Sequence, residues 1–181
     1  IDPDIITGYN ILNFDNVYTI QRARHLHTIM DDDTKKAWCW GRTDRECDPK
    51  SSYKFSNQKG GKESWQCRIE GREFMDLYKI VMDDHKLRSY KLDEVAKTFL
   101  GTEKIHIAYD DIPIMQQTPE GREKLGAYCV KDAFLPCKMA LKMAKVLNAV
   151  LMSQVTGVSL DTILNRGQQI RTMSLMLQKV K

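Results

Sequence analysis

The sequence predicts an α/β protein. Residues 4–7, "DIIT", form a short β-branched run that ends at Gly8, a pattern typical of a buried strand. The later segment "REFMDLYKIVMDDHKL" is again rich in apolar residues and indicates a second strand that turns into a helix. Apolar residues then recur at helical spacing through the second half of the chain, so the remaining elements should be mostly helical.

A helix should follow the first strand. Phe14, Val17 and Ile20 recur at roughly helical spacing, and Asp15 would lie at the helix start, where free N–H groups favour a carboxylate. From residue 31 to about residue 71 the chain is polar, charged and rich in Gly, Ser and Lys. Within this excursion "YKFS" and "SWQCRI" flank a Gly-Gly pair, which indicates a β-hairpin, with a flexible surface loop as the alternative.

The second half of the chain is predicted to be helical. "RSYKLDEVAKTFLG" forms an amphipathic helix closed by Gly101 as C-cap. Residues 102–118 should form a loop, and Pro119 should open the next helix in its first turn. Pro136 should break or kink the path into a long buried helix, "KMALKMAKVLNAVLMSQVTG". The last segment predicts two short helices hinged at Gly167.

The composition fits a soluble globular domain. Hydrophobic residues make up 42% of the 181 residues and charged residues 29%. No apolar run approaches the ~20 residues needed to span a bilayer, so we expect no membrane partner. The start, "IDPDIITGYN", has neither an initiator Met nor the basic residues of a signal peptide, so we expect a piece cut from a longer protein. A net charge of +4 is compatible with nucleic acid as a partner but is weak support for it.

The cysteines indicate an intracellular protein with reduced thiols. There are five, an odd number, and none forms a C-x-x-C pair. The alternative is a zinc site built from Cys39, Cys47 and Cys67 with His25 or His27, although the spacings match no standard zinc module.

A phenol and two carboxylates are the strongest candidates for chemistry. In "GAYCVKDAFLP", Tyr128 and Asp132 are four residues apart, so a helix places them on one face, one turn apart. Asp15 would come from a different helix. Carboxylates converging from different elements suit hard divalent cations, and a two-metal phosphodiester hydrolase also needs a group that orients water. Surface and helix-capping carboxylates are the alternative. The other acidic positions on structured segments are Asp76, Asp83 and Asp84.

Four segments, in order, resemble the exonuclease region of family B DNA polymerases. "DPDIITGYNILNFD" resembles the second exonuclease motif, and "YCVKD" resembles the third, Y-x-x-x-D. The segment between them, "GREFMDLYKIVMDDHKLRSYKLDEVAKTFLG", is similar to the family's linking segment, and "VTGVSLDTILNRGQQIR" resembles the passage into the palm domain. The resemblance covers nearly the whole chain and points to the delta-type polymerases of eukaryotes and large DNA viruses.

The resemblance implies roles for individual residues. Asp15 and Asp132 would be metal ligands, and Tyr128 would orient the attacking water. Asn10 and Phe14 would line the path of the substrate. Two Mg²⁺ ions, or Mn²⁺, would be the cofactors, completed by acidic residues of the first exonuclease motif upstream of this chain.

Three further positions complete the predicted site. Gly8 would allow a close backbone approach. Lys86 and Arg88 are basic residues that could contact DNA phosphates, although a solvated basic face is an equal alternative. The family's usual L-P-Y after N-F-D is replaced here, so that Val17 stands where proline is expected.

The resemblance also implies the fold, the domains and the partners. The fold would be the RNase H-like 3′-5′ exonuclease fold, a mixed β-sheet flanked by helices and truncated at its N-terminus. Residues 1–157 would be a partial exonuclease domain with a hairpin excursion at about 31–71, and residues 158–181 would lead into the palm.

The expected function is proofreading: two-metal hydrolysis of the 3′-terminal phosphodiester of single-stranded DNA. The fragment alone should be inactive. Its partners would be DNA, the remaining polymerase domains, and a sliding clamp or accessory subunits. The location would be the nucleus, or for a virus the host nucleus or a cytoplasmic replication site. The alternative is an exonuclease-inactive scaffold that positions DNA.

Overall fold

The computed structural model describes residues 2–30, 39–43, 45–56, 60–102 and 107–180, with the backbone alone for residues 28–30, 52–56 and 60–64. Within these ranges the chain is α/β. The strands are β1 (Ile5–Gly8), β2 (Asp48–Ser56), β3 (Gly60–Arg68) and β4 (Glu73–Asp76). The helices are α1 (Asp15–Met30), α2 (Leu77–Asp84), α3 (Leu92–Leu100), α4 (Ile112–Met115), α5 (Pro119–Lys142), α6 (Lys145–Thr156), α7 (Leu160–Asn165) and α8 (Gln168–Lys179).

The described strands form two separate pairs. β1 and β4 are parallel, and Gly8 is the register partner of Asp76. β2 and β3 are antiparallel, which confirms the predicted hairpin. Gly60 and Gly61, however, belong to β3 and do not form the turn, because Ser56 already pairs with Gly60. The connection between the two strands lies outside the described residues.

Buried side chains join the two pairs of strands to the helices. One cluster lies between α1, the hairpin and β4 and contains Leu12, Ile20, Cys47, Cys67, Ile69 and Phe74. Two smaller clusters connect β4, α2 and α3 to the C-terminal half of α5; they contain Met75, Leu77 and Ala140, and Val81, Val95 and Met139. Burial of these apolar side chains fixes α5 against the strands and the helices on which the candidate site depends.

Local signals in the sequence set most helix ends. α1 begins at Asp15, as predicted. Gly101 ends α3 with φ 66°, the left-handed conformation that glycine adopts readily. Pro119 begins α5 after Thr118, whose side chain accepts a hydrogen bond from the Gly121 amide at 3.1 Å. Gly167 separates α7 from α8, which confirms the predicted hinge.

The predicted break at Pro136 is wrong. Pro136 lies inside α5, which continues to Lys142, and the helix ends instead at Met143 and Ala144. Pro136 is completely buried, so its packing offsets the helical hydrogen bond that it cannot donate. Ala144 has φ 48°, and this left-handed residue separates α5 from α6.

Two further predictions about the helical half need correction. The segment 102–118 is not a plain loop, because it contains α4 and a 3₁₀ turn at Tyr109–Asp111. α6 is not buried on all sides: it contacts α5, α7 and α8, and apolar side chains such as Leu147 and Val155 remain exposed. None of the helices in the described ranges combines the length and apolar character that crossing a membrane requires.

Candidate active site

The loop between β1 and α1 presents Asp15. Asn10 has φ 62°, a left-handed conformation that Asn tolerates better than most residues, and its carbonyl accepts a hydrogen bond from the Phe14 amide at 3.2 Å. The Asn13 side chain donates to Oδ1 of Asn10 at 2.9 Å. The loop therefore closes on itself directly before Asp15, whose exposed carboxylate lies in the first turn of α1, where the helix dipole favours negative charge.

Glycine at position 8 serves packing. A Cβ atom there would lie 2.3 Å from Cγ2 of Ile11. Gly8 is buried and is not among the described glycines with positive φ. Glycine is therefore required because there is no room for a Cβ atom, and not because of the backbone conformation. The close approach predicted from the sequence is therefore made by Ile11 within the same loop.

Asp76 anchors this loop and is the residue that the sequence-based site did not include. Its side chain is 4% exposed and accepts hydrogen bonds from the backbone amides of Asn10 at 2.7 Å, Leu12 at 3.2 Å and Tyr78 at 3.0 Å. The pKa of the Asp76 carboxyl lies above its ordinary value because burial raises it, and the hydrogen bonds from the three amides offset only part of this shift. The signal in the sequence was an aspartate between a strand and a helix, the preferred position for an N-cap.

Tyr128 and Asp132 lie on α5, as predicted. The helix is continuous through both positions, so they share a face one turn apart. Both side chains are half-buried, and Oδ1 of Asp132 is shielded from solvent. Because α5 packs against β1, it lies beside the strand that leads into the loop carrying Asp15.

Two aromatic rings flank Asp15 on the outside of α1. Phe14 is 65% exposed and Tyr18 is 61% exposed. Their rings are nearly parallel, at 7°, with centroids 6.4 Å apart. Exposed, parallel aromatic rings can stack on the bases of a single strand. Tyr18 was not among the residues that the sequence suggested, although its position one turn after Phe14 could have indicated it.

Lys86 and Arg88 lie in the connection between α2 and α3, and both are exposed. Tyrosines tie this connection to the loop after β1. The hydroxyl of Tyr9 donates to the carbonyl of Tyr90, and the hydroxyl of Tyr90 donates to the carbonyl of His85 at 2.9 Å. These hydrogen bonds hold the segment that carries Lys86 and Arg88 against residue 9, which directly precedes Asn10.

The cysteines do not form a metal site. Among the residues that the structure describes, no three His, Cys, Asp or Glu side chains are placed to hold a metal ion, so the zinc alternative is wrong. Burial raises the pKa of the Cys67 thiol to about 12 and also raises the pKa of Cys47, whose Sγ accepts a hydrogen bond from the Trp40 amide at 3.3 Å. These two thiols are therefore neutral core residues, whereas zinc requires thiolates.

Comparisons with known proteins identify the family of this chain. The family described as "DNA polymerase family B, exonuclease domain" matches residues 1–95, which include the loop, Asp15 and Asp76. The chain is 37% identical over 182 residues to the DNA polymerase delta catalytic subunit of Caenorhabditis elegans and 38% identical over 183 residues to that of Drosophila melanogaster, in each case covering 100% of this chain and 16% of the relative. It is 37% identical over 181 residues to the same subunit of Candida albicans, covering 99% of this chain and 17% of the relative.

These alignments extend past residue 95 and include Tyr128 and Asp132. The chain spans about one sixth of the length of the curated relatives that it matches. The chain belongs to the family B DNA polymerases, matching their exonuclease domain.

Proposed function

We propose that this chain forms part of the proofreading 3′-5′ exonuclease of a DNA polymerase, which hydrolyses the 3′-terminal phosphodiester of single-stranded DNA. The observation that carries the proposal is that α5, which bears Tyr128 and Asp132 one turn apart, packs against β1, the strand that leads into the loop before Asp15. The proposed fold is RNase H-like, with residues 1–157 in the exonuclease domain and residues 158–181 leading into the palm.

Asp15 and Asp132 fit the ligands of a hard divalent cation. Both supply carboxylate oxygens from different helices, which is the donor chemistry that Mg²⁺ or Mn²⁺ requires. Further acidic residues of the parent polymerase would complete the coordination. When bound, two such ions lower the pKa of a water molecule and stabilise charge on the leaving 3′ oxygen.

Tyr128 contributes orientation rather than proton abstraction. A tyrosine hydroxyl both donates and accepts hydrogen bonds, so it can hold a water molecule in line with the phosphate. Its position one turn from Asp132 places the two side chains on the same face of α5. Its half-buried ring restricts the rotamers available to it, so the direction of the hydroxyl is limited.

The surface beside Asp15 suits a single strand of DNA. Phe14 and Tyr18 offer stacking faces for bases, and base–aromatic stacking contributes about 1–3 kcal/mol per base. We therefore expect Tyr18→Ala to raise the KM for single-stranded DNA roughly 5- to 150-fold. Tyr109→Ala, an 87% exposed aromatic in the 3₁₀ turn, is the control and should leave KM unchanged. Equal KM values for both variants would exclude the stacking role.

Lys86 and Arg88 would contact phosphates. Loss of two phosphate contacts to a single strand makes the slope of log affinity against log salt shallower by about 1.4. The variant Lys86→Gln/Arg88→Gln should flatten the salt dependence of kcat/KM by that amount. Lys91→Gln, an exposed lysine at the end of the same connection, is the control. An unchanged slope in the double variant would show that the two residues are only a solvated basic face.

The catalytic assignment is tested in the full-length polymerase. Asp132→Ala should lower Mg²⁺-dependent degradation of single-stranded DNA by at least about 100-fold, beyond the loss typical of a residue that only supports a ligand. Tyr128→Phe should cost roughly tenfold, the value of one hydrogen bond. Cys129→Ser, at an exposed position on the same helix, should leave the rate unchanged.

Nucleotide incorporation should stay constant in all three variants and reports correct folding of the polymerase. If Asp132→Ala keeps the wild-type exonuclease rate, the assignment of Asp132 to the site is wrong. If the wild-type polymerase itself shows no Mg²⁺-dependent degradation of single-stranded DNA, the domain is a scaffold that only positions DNA. The proposed partners are the primer 3′ end, the other polymerase domains, and a sliding clamp or accessory subunits. In a cellular source the proposed location is the nucleus; in a viral source it is the host nucleus or a cytoplasmic replication site.

A further inference from the structure

Asp76 connects three parts of the chain through one buried side chain. It ends β4, its register partner is Gly8 of β1, and it caps the first turn of α2. Oδ1 accepts from the amides of Asn10 at 2.7 Å and Tyr78 at 3.0 Å, and Oδ2 accepts from the amide of Leu12 at 3.2 Å. Capping α2 needs only the contact to Tyr78. The other two contacts reach across 66 and 64 residues to the loop before Asp15.

The two distant contacts hold the part of the loop that starts α1. Amides bound to an ionised acceptor make stronger hydrogen bonds than amides bound to a neutral one. The carbonyl of Asn10 accepts from the Phe14 amide at 3.2 Å, and the carbonyl of Ile11, in the same peptide unit as the Leu12 amide, accepts from the Asn16 amide at 2.9 Å. Asp76 therefore holds the Ile11–Leu12 peptide unit, whose carbonyl bonds to the first turn of α1, and it holds Asn10, whose own carbonyl bonds to the amide directly before Asp15.

We propose that Asp76 is a positioning residue of the exonuclease site: through the amides of Asn10 and Leu12 it holds the loop that presents Phe14 and Asp15 to the substrate. This inference rests on the proposed function. Asp76 itself is too buried to contact DNA and lies behind the loop. Its effect on the reaction is geometric, because a displacement of about 1 Å in a catalytic group can lower a rate roughly 100-fold.

Two substitutions separate the loop contacts from the helix cap. Asp76→Asn preserves the shape but turns one oxygen into an NH₂ group, which cannot accept from an amide. Asp76→Ser keeps a hydroxyl of the type that caps helices well, yet it is too short to reach the loop. Ser159→Ala is the matched control, because Ser159 caps α7 through the Thr162 amide, just as Asp76 caps α2 through the Tyr78 amide.

The experiment uses the full-length polymerase with Mg²⁺ and single-stranded DNA. Both Asp76 variants should lower the exonuclease kcat about 10- to 100-fold with a smaller change in KM, while nucleotide incorporation stays constant. Hydrogen exchange measured by mass spectrometry should become faster in the peptide covering residues 9–14 and stay constant in the peptide carrying Tyr128 and Asp132. Ser159→Ala should change neither quantity.

The exchange measurement does not depend on activity, so the two proposals can fail separately. Unchanged exchange in residues 9–14 for both Asp76 variants would show that Asp76 does not hold the loop, and this result overturns the proposal. Faster exchange with an unchanged kcat, in a polymerase that Asp132→Ala inactivates, overturns the positioning role and leaves the proposed function intact. Absence of Mg²⁺-dependent exonuclease activity in the wild-type polymerase overturns the proposed function, and full activity of Asp132→Ala overturns the assignment of the site that Asp76 would position. If Asp76→Asn does not fold, Asp76→Ser decides among the same outcomes.

Discussion

Gly8→Ala should destabilise the site loop by steric overlap alone. The new Cβ would lie 2.3 Å from Cγ2 of Ile11, more than 1 Å inside the ~3.5 Å of an ordinary carbon contact. Cγ2 is attached to a branched Cβ, so it cannot move aside without leaving its rotamer. Overpacking of this kind costs about 1–3 kcal/mol. Since alanine regains about 0.5–1 kcal/mol of backbone entropy over glycine in a strand, we expect a net loss of roughly 1–2 kcal/mol.

A double-mutant cycle isolates this overlap. Ile11→Ala removes Cγ2, so it should cost about 1 kcal/mol less in the Gly8→Ala background than in the wild type, and this difference is the coupling free energy. Gly126→Ala is the control: it lies within α5 with nothing within 4 Å of the new Cβ, and it should be neutral or stabilising by up to about 1 kcal/mol. The same loop displacement should reduce the exonuclease rate of Gly8→Ala in the full-length polymerase.

Native-state hydrogen exchange of the β1 and α1 amides in the full-length polymerase measures these local free energies. The reasoning is refuted if Gly8→Ala protects these amides as well as the wild type does. It is also refuted if Ile11→Ala makes the Gly8→Ala variant worse by its full single-mutant cost, because the two side chains would then be independent.

The remaining predictions concern the core, a helix end and the thiols. Met139→Ala should cost about 2–5 kcal/mol in local unfolding free energy because the side chain is fully buried. Leu141 is 77% exposed on the same helix, so Leu141→Ala should change this free energy by no more than about 0.5 kcal/mol. Similar hydrogen-exchange rates for the two variants would contradict this prediction. Gly101→Ala should cost about 1 kcal/mol through φ alone, since nothing lies within 4 Å of the new Cβ, and an unchanged α3 exchange rate would count against it. Iodoacetamide at pH 8.5 should modify exposed Cys129 and spare Cys67 until urea is added, as peptide mass spectrometry can measure; equal labelling would disprove the burial argument. Because the folded pKa of Cys67, about 12, lies above the ordinary value of 9.0, stability should fall as pH rises from about 9 toward 12, where the unfolded thiol ionises first.

Some elements were predictable because their signals are local. An aspartate before an apolar periodic run sets the start of α1, a glycine in the left-handed conformation ends α3, and Pro119 begins α5. Each depends on backbone groups within a turn or two of the residue itself, so the sequence window contains the whole cause. The i,i+4 relation of Tyr128 and Asp132 is predictable for the same reason.

The errors came where distant packing outweighs a local preference. Pro136 is a helix breaker by its own chemistry, yet complete burial beside the Met139 cluster keeps it inside α5. The hairpin was found, but its turn was misplaced, because the register is set by pairing along the whole length of both strands and not by the Gly-Gly pair. Cys39, Cys47 and Cys67 are of the residue type that binds zinc, but they pack in or against the core, and no three ligands come together among the described residues.

The sequence by itself determined the candidate chemistry of this protein, because carboxylates suited to a divalent cation and a tyrosine one helical turn from one of them are properties of residue type and spacing. The tertiary structure decided what holds that chemistry in place. The parallel pairing of β1 with β4 brings Asp76 to the amides of Asn10 and Leu12, more than sixty residues earlier in the chain. No local pattern encodes those contacts, since they exist only once two strands have paired and a carboxylate has been buried between them.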